Sequence, residues 1–190
     1  MTTVTILGNG NMGQAIAGLV TKGGHSVQTI TQHDDQAVTG DVVVLAVPYA
    51  AVADIVAKRG ASLAGNVVVD ITNPVDFETF DSLVVPADGS AADVLAAALP
   101  DSHVVKAFNT NFAGTLATGQ VGELPTTVLI AGDDAEAKAT LATIVTDAGL
   151  KALDAGSLRR ARELEALGFL QITLAAAEKV SWTGGFGIAA

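Results

Sequence analysis

Residues 4–20, VTILGNGNMGQAIAGLV, set an apolar strand-like run directly before a G-x-G-x-x-G stretch that opens an amphipathic helical pattern. A second strand-like run, SVQTI, follows after a Gly-Gly-His turn, so the sequence carries a whole strand–turn–helix–strand unit. Each glycine has a physical role in such a unit. Gly8 permits the tight turn, Gly10 lets the backbone approach a pyrophosphate, and Gly13 lets helix and strand pack where a Cβ would intrude. Asn9, Asn11 and Met12 fill the remaining positions, and the unpaired N–H groups at the helix start are aimed at an anion. The expectation is a dinucleotide cradle; the competing reading is a glycine-rich turn with no ligand. With 20 Asp and Glu against 10 Lys and Arg, a formal charge of −10, the attraction for such a ligand has to come from local dipoles, not from the overall field.

The rest of the chain repeats short β-branched runs between Ala-rich helical stretches, the pattern of an α/β sheet covered by crossover helices. Strands are predicted at 4–7, 27–30, 42–47, 67–71, 104–108 and 127–131, and helices at 12–21, 49–58, 90–99, 135–146 and 157–180. Runs such as VVVLAV and NVVVDI lack polar alternation, as strands buried on both faces require. Gly23-Gly24 and Gly60 are expected to end helices at positive φ, and Pro100 to stop a third. Only residues 32–40 separate the second and third strands, too few for a crossover helix, so a stub of one or two turns is expected. No composition change marks a linker, and the chain reads as one domain over residues 1–190.

The acidic balance and the lack of a basic run interleaved with aromatics argue against nucleic acid as a partner. No cysteine is present, which excludes disulfides and thiolate chemistry; no His-rich metal spacing occurs either. The N-terminus has no secretory pattern, and residues 166–177 are too short for a membrane span, so a cytoplasmic location without membrane partners is expected.

At the end of the second strand, dinucleotide binders specific for an unphosphorylated ribose usually carry Asp or Glu. Here Thr31, Gln32 and His33 stand there, side chains able to donate to a phosphate, which favours NADP. The alternative is that Asp34 or Asp35 swings back to the ribose, and no Arg lies near in sequence to oppose it. Val47-Pro48, Thr72-Asn73-Pro74 and Asn109-Thr110 close three further strands and should line the same crevice. Asn73 and Asn109 suit a carboxamide, and equally suit the ordinary use of Asn in satisfying its own turn.

In order along the chain, LGNGNMGQAIA, VVVLAVP, VVVDITNP, VVKAFNT and LRRARELEALG resemble the NADPH-dependent reductases of the deazaflavin coenzyme factor 420. The likeness runs almost end to end, and it extends to the wider group of small dinucleotide-binding oxidoreductases. It implies a Rossmann-like doubly wound, mostly parallel sheet with a long C-terminal helix, NADP as cofactor and a homo-oligomer. It places the pyrophosphate on Gly8 to Gly13, the 2′-phosphate on Thr31, Gln32 and His33, the adenosine on Val47 and Pro48, and the nicotinamide on Asn73, Pro74 and Asn109. The chain departs from that family in having Thr31-Gln32 where Ser-Arg is expected and in its short 32–40 segment, which implies weaker phosphate affinity and a more exposed adenine.

Hydride exchange between NADPH and a flat acceptor, a deazaflavin or flavin, needs a shaped slot and no acid/base pair, and none stands out here. The single Tyr, Tyr49, has no Lys four residues on, and His25, His33 and His103 read as structural or cofactor-contacting. The same lack of catalytic side chains suits the alternative, a non-catalytic NADP(H)-binding or redox-sensing module. Arg159, Arg160 and Arg162 read as a solvated face paired with Glu163 and Glu165, or else as an anchor for an anionic ligand. Either two chains share a pocket, or the tail with Trp182 and Phe186 turns back over the nicotinamide; otherwise these rings pack on the sheet. The apolar second half of the last helix, with Leu167, Phe169, Leu170, Ile172 and Leu174, points to a homodimer interface.

Overall fold

Thr3–Leu7 (β1) lies one strand in from the edge of a seven-stranded sheet, with Ser26–Ile30 (β2) on one side and Val42–Leu45 (β3) on the other. In this computed structural model, which describes residues 1–189, the sheet continues from β3 through Val67–Asp70 (β4) and His103–Ala107 (β5). Beyond them lie Thr127–Gly132 (β8) and Lys151–Gly156 (β9), while Gln120–Val121 (β6) and Leu124–Pro125 (β7) form a separate two-stranded hairpin. All pairings in the large sheet are parallel except β5 with β8.

Helices cover both faces. Val42 and Val44 point to the side packed by Ile16, Leu19 and Val20 of Asn11–Lys22 (α1) and by Leu141, Ile144 and Val145 of Ala135–Asp147 (α5). Val43 and Leu45 point to the other, against Val52 of Val52–Arg59 (α2) and Leu95 of Ala91–Ala98 (α3). Ala113–Thr118 (α4) packs beside α1, and Ala161–Ala176 (α6) closes the α3 side. All four β3 residues are buried, which is why that segment shows no polar alternation.

Several sequence expectations need correction. Residues 32–40 contain no helical stub: one turn, closed by the Asp34 amide donating to the Thr31 carbonyl at 3.1 Å, is followed by irregular chain. Gln28 does the work a helix would do, its amide donating to the Ala37 carbonyl at 2.9 Å and its oxygen accepting from the Thr39 amide and hydroxyl. Gly60 sits at φ −50 and continues into a short 3-10 turn, while Gly24 does take positive φ, at +80. The last helix is shorter than expected, a 3-10 turn over Leu158–Arg160 leading into α6. The β3 strand ends at Leu45, before Val47, and β5 ends at Ala107 because Phe108 adopts φ +62. β9 and α4 were not expected: KALDAG has no β-branched residue, and AGTLAT is barely more than one turn.

Candidate active site

Chain order reverses between β1 and β3, with β2 on the far side of β1, so a crevice opens beyond the carboxyl ends of these strands. The glycine turn occupies it. Gly8, at φ +117, lies so near the third strand that a Cβ would fall 2.2 Å from the Ala46 carbonyl oxygen, and a Cβ on Gly13 would fall 2.5 Å from the Gly8 oxygen. Gly10 differs: a Cβ there meets nothing within 4 Å. It is also the N-cap of α1 and offers no side-chain acceptor, so the first-turn amides are left for another anion. Gly8, Asn9 and Gly10 line a cavity of about 520 Å³ with Thr31, Gln32, Val47 and Pro48; Asn11 and Met12 line a second of about 470 Å³.

The first cavity gathers most of the predicted adenosine-side residues. His33 is exposed and does not line it. Two residues that sequence reading missed do: Lys58 and Arg59, brought in by α2. The absence of a nearby Arg therefore holds in sequence only. The signal was the spacing of Asp54, Ile55, Lys58 and Arg59, one face of a helix that begins just after Pro48. Asp34 turns back, but onto Thr31, whose amide and hydroxyl both donate to Asp34 Oδ2 at 2.7 Å. Those bonds, the backbone one foremost, with nearby His33 and Arg59, hold the Asp34 carboxyl below its usual range.

Asn73 and Asn109 meet at the second cavity, at the ends of β4 and β5. Asn73 donates to the Asn109 carbonyl at 2.8 Å, and Asn109 donates to Asn73 Oδ1 at 2.9 Å and to the Leu164 carbonyl at 2.8 Å. Neither amide is spent on its own turn. Asn109 Oδ1 and Asn111 Oδ1 are buried without a partner, and both residues line the cavity, so the pair of oxygens suits a ligand presenting N–H groups, such as a carboxamide. Pro74 lines neither cavity; its carbonyl accepts from the Val84 amide at 2.7 Å. Helix α6 reaches this corner only because Gly168 lacks a side chain: a Cβ would lie 2.4 Å from Asn73 Oδ1.

The tail turns back over the same cavity. Trp182 and Thr183 form part of its wall, with the Trp182 ring 4.9 Å from that of Phe112. Buried Gln171 pins the tail, its oxygen accepting from the Phe186 amide at 2.8 Å and its amide donating to the Thr110 carbonyl at 3.1 Å.

Behind the site sits a buried ionic cluster that hydrophobic patterning passed over. Lys106, fully buried, lies 2.9 Å from Asp70 Oδ2 and 2.8 Å from Glu165 Oε1, and donates to the Thr72 carbonyl at 2.6 Å. Glu165 Oε2 also accepts from the Ala91 amide at 2.9 Å, tying α6 to the start of α3. Burial pushes the Glu165 carboxyl up, against the opposing pull of Lys106. A lone Lys inside HVVKA was the available signal. Glu165 thus does not pair with the arginines; Arg160 and Arg162 approach Glu163 at 3.6 Å on a solvated face, and no Arg of this group lines either cavity. His25 contacts Asp147 and His103 contacts Asp134, each at 3.1 Å, both away from the cavities.

Strand order, a glycine turn at its reversal point and cavities on either side of that turn define a Rossmann-type dinucleotide-binding protein. Residues 26–74 match the family model described as NADP oxidoreductase, coenzyme F420-dependent. The F420-dependent NADP reductase of Methanocaldococcus jannaschii is 31% identical over 157 residues, 80% of this chain and 70% of that protein. The chain belongs to the F420-dependent NADP reductase family. A solved structure from Arthrobacter sp. FB24, described as a candidate F420-dependent NADP-reductase, superposes over 100% of both chains with a TM-score of 0.86 at 27% identity. Metalloreductase STEAP3 of Rattus norvegicus is 40% identical over 105 residues, 55% of this chain and 20% of that protein.

Proposed function

We propose that the chain is an NADP(H)-dependent oxidoreductase that exchanges hydride between NADPH and a flat acceptor of the deazaflavin F420 type. The observation that carries this reading is the open Gly10 position, where bare backbone faces the first cavity while the same turn continues into the second. A dinucleotide laid across the turn would have its adenosine on Val47 and Pro48, its 2′-phosphate near Thr31, Gln32, Lys58 and Arg59, and its nicotinamide beside Asn73 and Asn109. Bound NADPH supplies the hydride. The chain's own residues bind and orient: first-turn amides of α1 hold the diphosphate, and Asn109 Oδ1 accepts from a carboxamide. Phe112 and Trp182 offer ring faces, and the tail limits water on that side. Neither cavity is lined by a histidine, which suits a reaction in which the two rings hold the redox chemistry.

The apolar half of α6, where Leu170 is 50% exposed and Leu167, Phe169, Ile172 and Leu174 are half-buried, supports a homodimer through that helix. Use of a reduced dinucleotide fits a cytoplasmic location. NADPH consumption is to be measured against F420, flavins, quinones and ferric chelates. Turnover with F420 above the others is expected; NADPH binding without turnover on any acceptor would instead favour a sensing module.

A further inference from the structure

The Thr31 end of the first cavity has the chemistry of an anion site, and the carboxylate of Asp34, beside the cavity and not among its lining residues, already holds the donors there. Thr31 N–H and Thr31 Oγ1 converge on a single oxygen, Asp34 Oδ2, both at 2.7 Å. Two cations line the same cavity. Lys58 Nζ is 2.8 Å from Asp35, and the Arg59 guanidinium donates to the carbonyls of Asp34 at 2.6 Å and Gln36 at 2.7 Å. Converging neutral donors with Lys and Arg beside them are what a phosphate ester requires. A ribose phosphate brings about −1.5 to −2 charges, so it repels a carboxylate already bonded to the donors it needs. An unphosphorylated ribose meets no such repulsion, and its hydroxyl can donate to the same carboxylate. The segment carrying Asp34 is irregular chain held by Gln28 and Arg59 side chains, with no helix to fix it, so the carboxylate is free to leave Thr31 without unfolding an element.

On the dinucleotide reading above, we infer that Asp34 is the residue that sets the cofactor preference, a resident anion in the 2′-phosphate corner that narrows the margin of NADPH over NADH. Thr31, Lys58 and Arg59 attract the phosphate; Asp34 opposes it.

The test is calorimetric titration of the full chain and of Asp34→Ser and Asp34→Asn with NADPH, NADH, 2′,5′-ADP and 5′-AMP, the last two reporting on the corner alone. Both variants are expected to bind NADPH and 2′,5′-ADP about tenfold more tightly than the unaltered chain, with NADH and 5′-AMP unchanged or weaker. The Asn variant retains an oxygen for Thr31, so a shift there assigns the effect to charge. Equal changes for phosphorylated and unphosphorylated ligands, or an unchanged ratio, would overturn the inference and leave the dinucleotide reading standing. Failure of the unaltered chain to bind either dinucleotide would overturn both.

Discussion

Replacing Lys106 by Met lowers the stability of the fold by about 3–5 kcal/mol, a large part of the 5–15 kcal/mol typical of a domain. Met keeps the length and removes the charge. It leaves Asp70 and Glu165, both almost wholly shielded from water, without the one cation that lies between them. The pH dependence follows from the sign of the shift. A carboxyl raised in the folded state contributes stability fully present below its unfolded value and lost as pH rises through the raised folded value. Glu165 is already shifted upward by burial, and removing Lys106 removes the interaction that opposes that shift. The variant's deficit in melting temperature should therefore be smallest under mildly acidic conditions and deepen towards neutral pH. A deficit below about 1 kcal/mol, or one independent of pH, would show that the cluster is not the uncompensated charge site described here. Its loss should also be felt at the second cavity, because Glu165 holds the stretch of α6 whose Leu164 carbonyl accepts from Asn109.

Gly10→Val separates binding from folding. The residue sits at φ −75 and ψ −175, a conformation open to any amino acid, and its Cβ would enter empty space, so the fold should lose no more than about 1 kcal/mol as an N-cap change. Dinucleotide affinity should fall about 100-fold, because the side chain occupies the approach of a diphosphate to bare backbone. Gly13→Val provides the contrast: its Cβ strikes the Gly8 carbonyl, so that variant should lose stability as well. Calorimetric titration with NADPH alongside thermal melts distinguishes the two. Unaltered NADPH affinity in Gly10→Val would place the diphosphate somewhere other than this turn.

The parts of the fold legible in the sequence were those governed by local or two-face rules. The glycine turn declares itself because Gly8 and Gly13 each answer a separate steric demand while Gly10 leaves bare backbone open, and β3 and β4 because burial on both faces removes polar alternation. What escaped were features made by distant segments meeting. Lys58 and Arg59 reach the first cavity only through the path of α2, and Gly168 matters only because Asn73 and Asn109 lie beneath it. The Lys106 cluster joins four elements, so no window of sequence contains it. The expected helical stub failed because a single side chain, Gln28, satisfies the backbone that a helix would have satisfied. Two placements of the tail stood open, over the nicotinamide or against the sheet; the Gln171 clip, sixty or so positions from its other partner Thr110, holds it where Trp182, but not Phe186, lines the second cavity.

The most direct measurement of the whole account is isotopic. NADPH carrying deuterium at the transferable position of the nicotinamide is mixed anaerobically with the protein and F420, and the reduced deazaflavin is analysed by mass spectrometry. If the nicotinamide and the acceptor are both bound in the cavity lined by Asn109 and Trp182, as proposed, the label passes into the deazaflavin, one deuterium for each dinucleotide oxidised. F420 left unreduced while NADPH binds, or reduced without label, would contradict direct transfer in this site.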